Sequence, residues 1–298
     1  MEGGPVEQRA VVTAGTGGIG LETAVGLAAA GLSVTVVGRD ADRGARALER
    51  IKAVAPAAEP AFVAADLASL DGVRTLAGRL AADGPLKVLV NNVGGMFADH
   101  RRTVDGIEAS FVLNHLSPYL LTELLLDPLR AARPSRIVNV NSAAVRAAKP
   151  RFDAVEPPGG YYGLHWYGRA KLANLAYTLD LAERLRSTGV SVFAADPGGA
   201  ATEMTGNGTA GSSAIVSPGL RLVWPLVRLA IERSTSGPAS VAARSSVFAA
   251  TDASLDGRTG LLIGARSRPV SPHRRSTDRR TVDDVLRLSR QWAPVTTG

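Results

Sequence analysis

The 298-residue chain contains no cysteine, which removes disulfides, a thiolate nucleophile and any cysteine-ligated metal centre from consideration. Its four histidines are scattered, too few and too dispersed for a metal site. Aromatic residues make up only 5% of the chain, and the one dense basic cluster, residues 273–280 (HRRSTDRR), has none interleaved to stack on bases. No nucleic-acid partner is expected, despite a net charge of +7; an anionic cofactor held by a few arginines would use basic residues equally well. No apolar run is long enough to span a bilayer, and the first nine residues lack the apolar stretch of a signal peptide. A cytoplasmic location is the resulting expectation.

Hydrophobic residues are 45% and charged residues 20% of the chain, the balance of a globular protein with a sizeable core. Short β-branched runs at 9–13, 33–37, 61–65, 87–91, 136–140 and 190–194 read as buried strands. Longer amphipathic stretches at 20–30, 42–54, 69–82, 106–126 and 164–187 read as the helices between them. The alternation predicts one α/β domain over 1–298, a Rossmann-type doubly wound parallel sheet with helices on both faces. Ligands of such sheets bind beyond the carboxyl ends of the strands, so the residues that follow each strand matter most.

After the first strand comes Thr13-Ala14-Gly15-Thr16-Gly17-Gly18-Ile19-Gly20, a glycine-rich turn opening directly into a helix. Glycines there let backbone N–H groups and the helix N-terminus approach a pyrophosphate. The second strand ends in Val37-Gly38-Arg39-Asp40. An arginine at this point matches a ribose 2′-phosphate, whereas a carboxylate would hold a free 2′-hydroxyl, so NADP(H) is expected over NAD(H). Asp40 reads as the N-cap of the next helix.

Tyr167 and Lys171 lie four residues apart within a helical stretch and share a face. A neighbouring ammonium stabilises a phenolate, so the pair is expected to bring the Tyr167 pKa down toward the working range and to serve as an acid/base unit.

These motifs resemble, along nearly the whole length, those of the short-chain dehydrogenase/reductase family. The block from 167 to 185, YGRAKLANLAYTLDLAERL, resembles the retinol-dehydrogenase-like branch. The resemblance assigns the glycine motif to the cofactor, Asp66-Leu67 to the adenine side, and Asn91-Asn92-Val93-Gly94 to the support of the central sheet. It makes Pro197, Gly198 and Thr202 the holders of the nicotinamide carboxamide, and it puts Asn114, Ser142, Tyr167 and Lys171 at the catalytic positions. Expected cofactor contacts are thus Thr13, Gly15, Thr16, Gly18, Ile19, Gly20, Arg39, Asp66, Leu67, Asn92, Gly94, Tyr167, Lys171, Pro197, Gly198 and Thr202. The implied reaction moves hydride between a nicotinamide and a carbonyl or alcohol carbon of an apolar small molecule, with Tyr167 carrying the proton. Ser142 would hold the reacting oxygen, and Asn114 would anchor a water leading from Lys171. One rival reading keeps the cofactor but does no net redox, assisting epimerisation, elimination or cyclisation; the other is a cofactor-binding regulator without catalysis. The resemblance also implies a subunit surface on the helices around Asn114 and Lys171, in a homodimer or homotetramer.

Three residues depart from the family pattern: Ala14 for the first glycine, Val93 for an alanine, and Asn141 for a serine. Ala14 is expected to crowd the turn. Residues 143–163, with Pro157-Pro158-Gly159-Gly160 at their centre, read as a loop walling the substrate site, with His165 a candidate ligand contact. Residues 206–237 begin glycine-rich and continue as an apolar stretch bearing Leu222, Val223, Trp224, Leu226 and Val227. The resemblance implies a substrate lid there, preferred over a membrane-surface helix or a subunit contact.

Overall fold

The computed structural model describes residues 8–156, 159–198, 216 and 237–295. Arg9–Thr13 forms β1, and its almost unbroken apolar run suits a strand covered on both faces. Gly18–Ala29 (α1) follows the glycine turn and returns the chain to Ser33–Gly38 (β2), which pairs parallel with β1. Asp40 caps Ala41–Val54 (α2), its side chain accepting from Arg43 N at 2.9 Å. Gly44, Ala47 and Ile51, at helical spacing, are the residues that α2 buries. Ala61–Ala64 (β3) leads to Leu70–Ala82 (α3), where Ser69 provides the same kind of cap at 3.2 Å.

Val88–Asn91 (β4), Ser135–Val140 (β5) and Val190–Ala195 (β6) continue the sheet. Two further strands, Leu261–Gly264 (β7) and Arg268–Val270 (β8), were not anticipated. The order is β3-β2-β1-β4-β5-β6-β7-β8, parallel throughout except that β8 runs antiparallel to β7. Successive residues of one strand serve opposite faces. Val11 packs with Leu76, Leu89, Ile137 and Tyr177 on one side, while Val12 packs with Leu27, Val36, Val90 and Phe193 on the other. Helices therefore cover both faces, as the unalternating strands require.

The expected single helix over 106–126 is interrupted. Ala109–Phe111 (α4) passes into a π-helical turn, Val112–Leu116, before Ser117–Leu124 (α5) and Leu126–Ala131 (α6). Asn114 sits in that π turn, a local widening of the kind that recurs at functional sites. Gly163–Arg184 (α7) is the long helix carrying Tyr167 and Lys171. Towards the C-terminus, Ala239–Ala242 (α8) and Arg244–Thr251 (α9) pack against α1, and Arg279–Trp292 (α10) packs against α7. Asp278, inside the basic cluster, caps α10 by accepting from Thr281 N at 3.0 Å. Thr202, Pro157, Pro158 and, apart from 216 and 237, the stretch expected to form a lid lie outside the described residues.

Candidate active site

Strand order reverses between β1 and β4, and the loops after those two strands are stitched together. Thr13 Oγ1 accepts from the backbone N–H groups of Asn92 and Val93 at 2.9 and 3.0 Å. Asn92 Nδ2 donates back to the Thr13 carbonyl at 3.1 Å and the Ala14 carbonyl at 3.3 Å. The contact is too tight for a side chain at Gly20, where a Cβ would stand 2.3 Å from the Ala14 oxygen and 2.4 Å from Asn92 Nδ2. Ala14 itself holds a φ of 50°, in the left-handed region that a Cβ disfavours. Val93, the second departure, is buried in the core beneath the turn.

Gly15, Thr16, Gly18 and Ile19 complete the turn and open α1. The turn binds to β2 through Gly15 N, which donates to the Val37 carbonyl at 3.0 Å. Arg39 is exposed at the end of β2. Two arginines that sequence reading passed over, Arg43 and Arg46 on α2, join Thr16, Leu21 and Ala47 around a cleft of about 360 Å³. A Cβ on Gly17 would lie 2.6 Å from an Arg43 guanidinium nitrogen, so this cation rests directly on the turn. Its position on α2, one turn after Arg39, was the available signal. Asp66 is exposed and accepts from Ala68 N at 3.0 Å. Leu67 is buried, and its carbonyl accepts from the Ser117 hydroxyl. Pro197 is buried and Gly198 N donates to Asp196 Oδ1 at 2.9 Å.

Four candidate side chains converge beyond β4 and β5. Gly94 is the hub. A Cβ there would lie 2.6 Å from Asn114 Oδ1 and 3.3 Å from Lys171 Nζ, so only glycine lets both approach. Asn114 Nδ2 donates to the carbonyls of Gly95 at 2.7 Å and Ser110 at 2.8 Å, the second bond spanning the π turn. Lys171 Nζ donates to the Val140 carbonyl at 2.8 Å and stands 5.9 Å from the centre of the Tyr167 ring. The Ser142 side chain lies beside the Tyr167 phenol and acts to lower its pKa. Asn141, the third departure, ties the strand end to the helix. Its Oδ1 accepts from Ser142 N at 2.8 Å, and its Nδ2 donates to the Lys171 carbonyl at 3.0 Å.

The electrostatics correct one expectation. Burial pushes the Tyr167 phenol up to about 12, outweighing the lowering by Ser142 and helped by the Asp196 charge. Burial also pulls the Lys171 ammonium down to about 8, with Asp196 opposing it. The ammonium thus does not bring the phenol toward neutrality; desolvation decides both values, and near neutral pH the phenol keeps its proton. Asp196 is a second group that sequence reading missed, although it stands just before Pro197-Gly198 at the end of β6. Burial raises its carboxyl, against the Gly198 N–H, Arg146 and Lys171.

The wall expected over 143–163 is only partly loop: Ala143–Ala147 forms a 3-10 turn, and Phe152 and Val155 are buried in the core. Tyr161, Trp166 and His100 pack as an aromatic group with ring centres 5.0 to 5.5 Å apart. His165 Nδ1 meets the Ala147 carbonyl at 2.8 Å, so this histidine fastens the 3-10 turn to α7. Among the described residues no cluster of three acidic or histidine side chains could hold a metal, and no helix is long and apolar enough to cross a membrane.

A family model described as short chain dehydrogenase matches residues 8–212. Mouse retinol dehydrogenase 12 is 39% identical over 198 residues, covering 66% of this chain and 63% of that protein. The chain thus spans somewhat under two thirds of that relative's length. Mouse retinol dehydrogenase 11 is 33% identical over 252 residues, covering 84% of this chain and 75% of its own length. Among solved structures, an uncharacterised Mycobacterium paratuberculosis protein superposes with a TM-score of 0.74 at 26% identity, covering 98% of this chain and 95% of that one. The Pseudomonas aeruginosa RhlG/NADP active-site complex gives a TM-score of 0.66 at 27% identity over 86% of this chain and 94% of that one. The matched span takes in the glycine turn, the Gly94 hub and the Tyr167–Lys171 helix: the chain belongs to the short-chain dehydrogenase family, on its retinol-dehydrogenase-like branch.

Proposed function

We propose that the protein is an NADP(H)-dependent oxidoreductase that interconverts a carbonyl and an alcohol in an apolar small molecule. The observation that carries this reading is the meeting of Asn114, Lys171, Tyr167 and Ser142 around Gly94 and the end of β5. A bound nicotinamide would supply or accept the hydride.

The chain's own residues supply position and proton. Tyr167, protonated near neutral pH, donates to the oxygen of a carbonyl as it gains negative charge, and Ser142 holds that oxygen against the phenol. Lys171 gives hydrogen bonds to a ribose and passes a proton to Tyr167, with Asn114 next to it on the route outward. Thr13, Gly15, Thr16, Gly18, Ile19 and Gly20 form the turn that presents the α1 N-terminus to a pyrophosphate, with the Gly15 N–H committed to the Val37 carbonyl. Arg43 and Arg46 line the cleft beside the glycine turn and Arg39 is exposed at the end of β2; a 2′-phosphate bound there would bring two further negative charges, which supports NADP(H) over NAD(H). Asp66 and Leu67 border the adenine, while Asn92, Gly94, Pro197 and Gly198 border the nicotinamide half. RhlG, whose solved complex contains NADP, shares this fold. Tyr161, Trp166 and Leu164 beside Val216 and Met96 give the substrate side an apolar, aromatic wall.

Tyr167→Phe tests the reading. Carbonyl reduction should fall by roughly 10²–10⁴-fold, the range expected for a lost general acid, while NADPH still binds with wild-type affinity and more tightly than NADH. Unchanged turnover in this variant would end the proposal.

A further inference from the structure

Residues 151–155 lack regular secondary structure, yet their five consecutive backbone carbonyls are all held by arginine side chains. Arg169 on α7 takes three of them. Its Nε donates to the Arg151 carbonyl at 2.7 Å, its Nη1 to Val155 at 2.6 Å, and its Nη2 to Ala154. Arg287 on α10 takes the other two, from Nη2 to Phe152 at 2.9 Å and to Asp153 by a longer contact of 3.5 Å. Backbone carbonyls withdrawn from water need donors, and a guanidinium offers five N–H groups in a rigid fork. The segment is folded around that fork.

Arg169 is almost completely buried, at 2% exposure. Its guanidinium lies 4.6 Å from the Phe152 ring centre and 5.1 Å from that of Phe111. Burial lowers it only to about 10, with Glu108 and Asp153 supporting the charge, so it remains a cation at neutral pH. It follows Tyr167 by two residues and precedes Lys171 by two. Two residues are about 200° around a helix, so the turn that aims Tyr167 and Lys171 into the site aims Arg169 the opposite way. Glu156 then continues the fastening, pairing with Arg102 at 2.9 Å and His100 at 3.6 Å. The described part of the wall between Ser142 and Tyr167 is thereby registered to the helix bearing the acid/base pair and to the C-terminal helix.

We propose that Arg169 and Arg287 are positioning residues: by gripping the carbonyls of 151–155 on the far side of α7 they set Glu156, and through His100 the Tyr161–Trp166 aromatic group on the substrate side, so that selectivity for substrate size is governed in part from the C-terminal helix. This inference rests on the oxidoreductase reading above. Arg287 is the residue to perturb first, because it is half exposed and touches neither Tyr167 nor Lys171.

The test compares wild type, Arg287→Ala, Arg287→Lys and Arg169→Lys with NADPH and two ketones, one short and one long and apolar. Amide exchange is followed over 149–162 in the same proteins. In Arg287→Ala, KM for the long ketone should rise about tenfold, below the roughly 10²-fold that a 1 Å displacement can cost. Its kcat, NADPH affinity and KM for the short ketone should stay near wild type, while exchange over 149–162 accelerates. Arg287→Lys should restore the wild-type pattern, since one ammonium can serve the Phe152 carbonyl. Arg169→Lys should not behave as wild type, since one ammonium cannot span three carbonyls. Unchanged exchange in Arg287→Ala, or parallel KM changes for both ketones, overturns the proposal. If wild type reduces no carbonyl at all, the oxidoreductase reading fails instead, and exchange alone then decides whether the arginines hold the segment.

Discussion

The Asn141 side chain, just beyond the end of β5, joins Ser142 to α7, donating to the Lys171 carbonyl at 3.0 Å while accepting from Ser142 N at 2.8 Å. One amide therefore fixes the spacing between Ser142, proposed to hold the substrate oxygen, and the helix that carries the proposed proton donor. Asn141→Ala deletes one buried and one part-buried hydrogen bond, worth roughly 1 kcal/mol each. Its melting temperature should drop by about 4–8 °C, at 2–4 °C per kcal/mol for a domain of this size. Calorimetry on the purified variant checks this; an unchanged midpoint would show that the amide contributes nothing to stability.

Lys171 illustrates a conflict between stability and chemistry. Its ammonium is pulled from the ordinary 10.5 to about 8 by burial, which corresponds to roughly 3 kcal/mol of destabilisation while it is charged. Lys171→Met removes that burden and leaves the Val140 carbonyl short of one donor, a loss of about 1 kcal/mol. The variant should melt several degrees above wild type at pH 7 and be inactive. The difference has a pH signature. The unfolded chain keeps this proton up to about 10.5 and the folded chain only to about 8, so wild-type stability rises with pH between those values and the advantage of the variant shrinks.

Asp196 bears on the pH dependence of the reaction. Lys171 loses its charge near pH 8, and kcat/KM for carbonyl reduction should fall above that value as the proton supply to Tyr167 fails. Asp196 holds the Lys171 charge up, while Arg146 helps to keep Asp196 ionised. In Asp196→Asn the alkaline limb should move to lower pH. A limb that stays put, or moves upward, would remove Asp196 from this role.

Ala14 sits at φ 50° in the glycine turn, a conformation that costs an L-residue roughly 1–2 kcal/mol. Ala14→Gly should recover part of this, offset by the greater freedom of glycine in the unfolded chain. A gain of about 0.5–1 kcal/mol in urea denaturation is expected, with NADPH affinity equal to wild type or better. A loss of stability would mean that the Ala14 methyl packs usefully.

Much of the fold could be read from the chain because buried parallel strands are apolar throughout and six of them announced themselves. β7 and β8 did not. Leu261–Gly264 is only four residues long, following Gly260 and ending on Gly264, and Arg268–Val270 is an exposed triplet with no alternation. The π turn at Val112–Leu116 escaped notice because it widens a helix without changing its apolar pattern. For the site, spacing paired Tyr167 with Lys171 and the family resemblance added Ser142 and Asn114, yet the direction of the Tyr167 shift was misjudged. A pair of residues reveals charge but not burial, and burial proved the stronger influence. Arg43, Asp196 and the grip of Arg169 depend on contacts between distant segments, which no local motif encodes.

The outermost strand has a consequence for assembly. β8 is three residues long, reverses direction, and places Pro269 opposite Ile263 with Arg268 opposite Gly264. A brief rim containing an imino acid and a cation offers poor purchase to an incoming strand. Growth of the sheet across a neighbouring molecule is thereby discouraged on this side.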